Sequence, residues 1–341
     1  MDTMQSDWKE FLAEHTADIT PHGVECATTA TVLCDLSQFG TLRVSGEEAQ
    51  AFLQNLFSND IREVSATRAQ FSSFNTAKGR MLATFLIWRD GDDYLLQLPA
   101  TLTEAMRKKL SMYVLRAKVK ITDAGEEVIS LGLSGDNVQE ILLKLCESLP
   151  ESPLGVSSIG NQAGSLIKYS DTRFQISTTP QQAITLVQTL GNQAKIVGSV
   201  CWDWLNIRAG LAVILPQTQE QFVPQMANLD LTGGINFKKG CYPGQEIVAR
   251  MHYLGKLKRR MYLAHIASET APQAGDELFS ADMAETDPPQ PCGMIANAAP
   301  APNGGYDVLA VIQIASHDAH SIHLGSLQGA PLQFMPLPYS L

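Results

Sequence analysis

The sequence predicts an α+β protein of more than one domain, and three observations carry that expectation. The chain has 341 residues, whereas single cores settle at roughly 100–200. A strand–turn–helix pattern occurs twice with the same internal spacing, and each copy is followed by two further strands and a helix. Beyond residue 262 the pattern changes to short apolar strands separated by glycine, proline and asparagine, the mark of an antiparallel sandwich or barrel.

The opening is mixed: a short helix is expected near residues 7–14, then a loop containing Pro21 and Gly23. In residues 41–53 (TLRVSGEEAQAFL) an apolar strand ends at Ser45-Gly46, acids open a helix, and a glutamine and apolar residues follow. Residues 130–142 (SLGLSGDNVQEIL) repeat the arrangement. Acids in a first helical turn are favoured by the macrodipole. Residues 80–88 and 94–98 read as a hairpin around Asp90-Gly91, with a turn chemistry that suits it, and a helix follows over about 102–113. In the second copy, residues 166–169 and 174–177 pair around a turn near Asp171, and a helix starts after Thr179-Pro180, where proline is tolerated. The two copies read as βαββα-like units over about 36–195; the plainer alternative is a coincidence of two common patterns. Residues 202–211 read as a helix stopping near Gly210, and a glycine- and proline-punctuated segment runs on to Gly244. Strands are then expected at 260–266, 291–297, 306–314 and 321–324, with loops at the proline-rich run from Asp287 and at 300–305.

Hydrophobic residues make up 45% and charged residues 18% of the chain, which is globular composition. The formal net charge is -10, so a nucleic-acid contact would need a local basic patch, since dedicated binders carry excess positive charge. The first residues show neither a basic n-region nor an apolar h-region, so no secretory signal is expected. No apolar run reaches the roughly 18 residues of a membrane span. Six cysteines are scattered without a CxxC pair, which fits a reducing cytoplasm and no zinc ribbon. A cytoplasmic monomer is the expectation.

The most distinctive run is residues 233–250, GGINFKKGCYPGQEIVAR. Two lysines and a glycine precede Cys241, and Pro243-Gly244 leads into a helix or turn. A thiol beside ammonium groups and a helix N-terminus has a lowered pKa; one charge at about 4 Å is worth roughly 1–4 kcal/mol. Cys241 therefore reads either as a reactive thiol or as a structural cysteine in a glycine-bounded turn.

This run resembles the signature of the YgfZ family, Lys-Gly-Cys-Tyr/Phe-x-Gly-Gln-Glu, matched here from Lys239 to Glu246. The resemblance continues in the Ser45-Gly46 turn, Lys78-Gly79-Arg80, the Ile207-Arg208-Ala209-Gly210 helix end, residues 222–229 and the closing residues 336–341. The family is similar to the T protein of the glycine cleavage system, an aminomethyltransferase, and to mitochondrial iron–sulfur assembly factors. The resemblance implies an α+β, three-domain, GcvT-like aminomethyltransferase fold around a central hole, with a C-terminal β-barrel. On this chain that gives a lead segment at 1–35, two interleaved folate-binding domains over 36–250 (units of about 36–125 and 126–200, closed by 201–250) and a barrel at 251–341. It implies tetrahydrofolate, or another folate, as ligand. It also implies partners among iron–sulfur enzymes, such as a radical enzyme that thiolates tRNA, with a contact to tRNA itself and no membrane.

Carried over residue by residue, the resemblance makes Cys241 the acting thiol and Lys239 the cation that lowers its pKa. Gln245 and Glu246 complete the motif, Arg250 braces the loop with Glu246, and all three are expected among the folate-binding residues. Trp202 falls where the family has an aromatic associated with folate; an indole can stack on a pterin for about 1 kcal/mol beyond burial, the alternative being a core aromatic. Phe39 stands where the family has a second tryptophan. Arg208 replaces an acid of the family pattern and cannot accept a pterin hydrogen bond, but can attract the folate glutamate tail. Residues 75–84 match a run that is rich in aspartate in the T proteins; here there is no carboxylate, and Lys78 and Arg80 stand instead. That weighs against the alternative of a folate-dependent aminomethyltransferase. A tRNA-binding module is the third reading: residues 238–260 hold seven of the 25 lysines and arginines, against the alternative of a solvated strand face. His317, His320 and His323 alternate faces if they lie on a strand, and no metal site is expected there.

Overall fold

The computed structural model describes residues 4–14, 23–159, 164–283 and 290–341. Pro21 and the start of the proline-rich run at Asp287 lie outside the described residues. The chain packs as two interleaved units, one formed by residues 1–52, 61–70 and 86–202, the other by 53–60, 71–85 and 203–341.

Most of the repeat lies in the first unit. Its first copy runs through strand Phe39–Ser45, helix Ala49–Gln54, strands Met81–Asp90 and Asp93–Pro99, and helix Ala100–Val114. Its second runs through Ile129–Ser134, Val138–Leu142, Gly164–Ser170, Arg173–Thr178 and Pro180–Leu190. In both copies the third strand lies between the second and the first, and every one of those pairings is antiparallel. The sheet of the second copy is completed by Val32–Asp35 beside Ile129–Ser134, by Lys195–Val197 in a parallel pairing with Val32–Asp35, and by Val156–Ile159 antiparallel to Gly164–Ser170. Helix Pro180–Leu190 buries Pro180, Ala183, Val187 and Leu190, a three-and-four spacing that puts one stripe on the core. Its N-cap is Thr179, whose side chain accepts from the Gln182 amide at 3.4 Å. The stripe packs with Leu131, Leu133, Leu166, Phe174 and Ile176 and with Trp8 and Phe11 of helix Met4–Glu14. Each fully buried aliphatic side chain of this kind contributes about 1.5–3 kcal/mol.

The second unit is dominated by a six-stranded sheet in the order Ile322–Leu324, Glu277–Ser280, Gly293–Pro300, Tyr306–Gln313, Arg259–Ile266, Leu332–Met335. Its pairings are antiparallel. An isolated bridge between His323 and Pro331 links the two ends of that order, so the sheet curls toward a barrel. Tyr262, Ala264 and Ile266 join Val308, Ala310 and Ile312 in one core, while Met261, Leu263, Leu309 and Val311 on the other face are buried as well. Burial on both faces is why these strands read as continuous apolar runs rather than alternations. The Pro224–Ala227 turn packs against Arg259–Ile266, and Asn228 donates to the Met261 carbonyl at 2.9 Å.

Three expectations are revised. The 102–113 helix extends to Ala100–Val114, and the 202–211 helix begins earlier and ends at Arg208, its first turn being Ser199–Trp202. The three histidines do not share a strand: His317 lies on a short helix, Ile314–Ala319, and only His323 lies on the following strand.

Candidate functional site

In the second unit, Cys241 is an exposed free cysteine between two residues that are not exposed: Lys239 and Tyr242 keep 5% and 7% of their surfaces. The Lys239 ammonium donates to the main-chain carbonyls of Gln54 at 2.7 Å, Asn59 at 2.9 Å and Phe57. It also lies 5.1 Å from the centre of the Tyr242 ring, and burial pushes the Tyr242 phenol well above its usual pKa. The same segment is pinned from its other side. Asn59 donates to the carbonyls of Phe71 and Gly233, at 2.8 and 2.7 Å, and the Ser58 hydroxyl donates to Gly234 O at 2.7 Å.

Behind the thiol the chain enters helix Gln245–Tyr253 through Gly244, whose φ of +78° suits glycine. A Cβ there would lie 2.5 Å from Gly79 Cα and from the Thr76 carbonyl oxygen. Close approach to the tight 76–79 turn therefore fixes where the helix begins. The Gln245 side chain donates back to the Lys239 carbonyl at 3.4 Å. Glu246 and Arg250 are exposed on the helix. A thiol is thus presented at the apex of a loop that is anchored on both sides.

Trp202, in the first unit, has no exposed surface. The Arg173 guanidinium lies 3.9 Å from the ring centre and the Tyr169 ring meets it edge-on at 5.4 Å. Gly132 is packed so tightly on the indole that a Cβ would come within 2.4 Å of it. Beyond Tyr169 is a buried polar chain: its hydroxyl donates to Gln175 Oε1 at 3.0 Å, and Gln175 Nε2 donates to Gln97 Oε1 at 2.5 Å and to Ser177 Oγ at 3.2 Å. Phe39 is half-buried and opens its strand opposite Pro99.

A third cluster sits on the second unit's sheet. The buried carboxylate of Asp307 accepts from Trp204 Nε1 at 2.9 Å, lies 3.0 Å from His265 Nδ1 and 3.6 Å from an Arg208 nitrogen. Arg208 also contacts the Met335 sulfur at 3.0 Å.

The GCVT N-terminal domain model matches residues 8–163. The chain is 31% identical over 246 residues to the tRNA-modifying protein YgfZ of Escherichia fergusonii, covering 72% of this chain and 75% of that one. The chain belongs to the YgfZ family. The tRNA-modifying protein YgfZ of Shigella sonnei is 29% identical over 309 residues, covering 91% of this chain and 93% of that one. Among solved structures, the glycine cleavage system aminomethyltransferase T of Bartonella henselae matches with a TM-score of 0.73 at 17% identity, covering 93% of this chain and 88% of that one. The aminomethyltransferase fold with a curled C-terminal sheet is therefore the fold of this YgfZ-family chain.

Within that fold, one expected role meets geometry that does not suit it. Tetrahydrofolate needs an open ring to stack on, and the Trp202 indole is enclosed by Arg173, Tyr169 and Gly132. Arg208 is turned to Asp307 and Met335. Lys239 is likewise committed to main-chain carbonyls, so the loop's fixed shape is its visible effect. The amide of Gln70, 4% exposed, has no hydrogen-bond partner at either its nitrogen or its oxygen, and buried amides in that state call for water or a ligand. Phe39 retains a partly open ring. Among the described residues no group of three or more His, Cys, Asp or Glu side chains is placed to hold a metal ion. Sequence reading missed Arg173 and Asp307; the signal for each was a single charge in a strand that otherwise carries none.

Proposed function

We propose that this protein is an accessory factor in tRNA modification that binds a reduced folate and serves an iron–sulfur enzyme acting on tRNA. The carrying observation is the exposed Cys241 held between the buried Lys239 and Tyr242. A thiol in the thiolate form is a nucleophile and a metal ligand, and a loop anchored by three carbonyl bonds lets a client meet it in one geometry. Membership of the YgfZ family supports the tRNA role, since the relatives are named tRNA-modifying proteins. The fold supports the folate, with the half-buried Phe39 as a ring of this chain that keeps some exposed surface. Trp202 acts here as a wall that holds Arg173 and Tyr169 in place.

The test is complementation of a strain lacking the protein, reading thiolated tRNA nucleosides by mass spectrometry. The wild-type chain restores them and Cys241→Ser does not. Full restoration by Cys241→Ser would remove the thiol from the mechanism.

A further inference from the structure

Helix Gln245–Tyr253 ends in Met-His-Tyr, and the chain leaves it through Leu254-Gly255-Lys256-Leu257-Lys258. Its last turn carries aromatic rings outward. His252 is exposed and stacks on Phe237 with centroids 3.8 Å apart and planes 12° apart. Tyr253, 64% exposed, meets His252 edge-on at 4.7 Å and Phe237 at 6.4 Å. Leu254 beside them is 84% exposed. Solvated aromatic rings cost free energy unless something covers them. Flanking them along the chain are the exposed cations Lys238, Arg250, Lys256 and Lys258, and residues 237–258 contain a single acid, Glu246. This is a positive, aromatic surface on a chain whose formal net charge is -10.

Flat rings interleaved with cations are the chemistry that takes unpaired nucleotides: bases stack on the rings and phosphates meet the ammonium and guanidinium groups. A duplex offers the phosphates but keeps its bases stacked inside. We propose that Phe237, His252 and Tyr253, with Lys238, Arg250, Lys256 and Lys258, form a binding surface for single-stranded RNA, and that unpaired loop nucleotides of tRNA are its occupant. The proposal rests on the tRNA-modification reading for the identity of the RNA. The cation count supplies the affinity, and the exposed imidazole that ends the Phe237–His252 stack receives a base. The short path from Phe237 to Cys241 in sequence places this surface on the same unit as the thiol loop.

The experiment is fluorescence anisotropy of the full chain with an unmodified tRNA transcript, a single-stranded RNA and a blunt RNA duplex. The wild type binds the tRNA and the single strand more tightly than the duplex. His252→Ala and Tyr253→Ala each weaken the single-strand complex by about 5- to 150-fold, and Tyr253→Phe binds like the wild type. Lys256→Gln and Lys258→Gln each reduce the slope of log affinity against log salt by about 0.7. These side chains are exposed, and thermal melts at the wild-type temperature verify that the variants fold. Ring variants that bind as the wild type does would overturn the proposal, as would retention of a client protein through these rings without any RNA binding. A chain that restores tRNA modification yet binds no RNA refutes this surface and leaves the tRNA-modification reading standing. One that binds RNA through the rings yet restores no modification does the reverse.

Discussion

Lys239 shows how one side chain can serve a site without entering its chemistry. An ammonium has three donors and no acceptor, and here it donates to the carbonyls of Gln54, Phe57 and Asn59. Removing it leaves buried carbonyls without partners, at roughly 1–3 kcal/mol for each unsatisfied group. Lys239→Met is therefore expected to lower unfolding free energy by about 2–4 kcal/mol in denaturant titration. Lys239→Arg does not restore it, because a planar fork cannot aim at three converging oxygens as a rotating ammonium does. The presence of an important lysine was legible in the sequence, since it stands two residues before the thiol. Its target was not, because the three carbonyls lie 180 to 185 residues away along the chain. Trp202 was legible as a large ring near a helix start, but its neighbours Arg173, Tyr169 and Gly132 come from strands that no local pattern joins to it.

The thiol loop and its helix behave as one element because two glycines touch. Gly244 adopts φ +78° with its α-carbon side against Gly79 and Thr76. Gly244→Ala forces both a left-handed backbone on an alanine and a contact at 2.5 Å, so it is expected to cost about 1–3 kcal/mol. Hydrogen exchange provides the specific reading: amides of residues 76–80 and 239–248 lose protection together, while those of the Tyr306–Gln313 strand keep theirs. Faster exchange spread evenly over the chain would show instead that the contact is not local. At this scale sequence reading did well where chemistry is local. Thr179-Pro180 marked a helix start, Asp90-Gly91 a hairpin, and the Ser-Gly turns a repeat. It did less well for strands such as Val32–Asp35 and Leu332–Met335, which are short and take their place from distant partners.

Across the whole molecule, the repeat and the apolar C-terminal strands made the fold class readable, because both are patterns the chain repeats. The division into two units was less so: residues 53–60 and 71–85 pack with the chain beyond 203. Those inserts carry the carbonyls that hold Lys239 and the turn that holds Gly244. The fold thus uses its early residues to shape a late loop, and the product is an exposed thiol between buried anchors. Alkylation of the native chain with iodoacetamide, followed by mass mapping of its six cysteines, reads that arrangement directly. Cys241 should be modified in the folded state, while Cys34, Cys201 and Cys292, all buried, react only on unfolding. Labelling of Cys241 no faster than those three would contradict it.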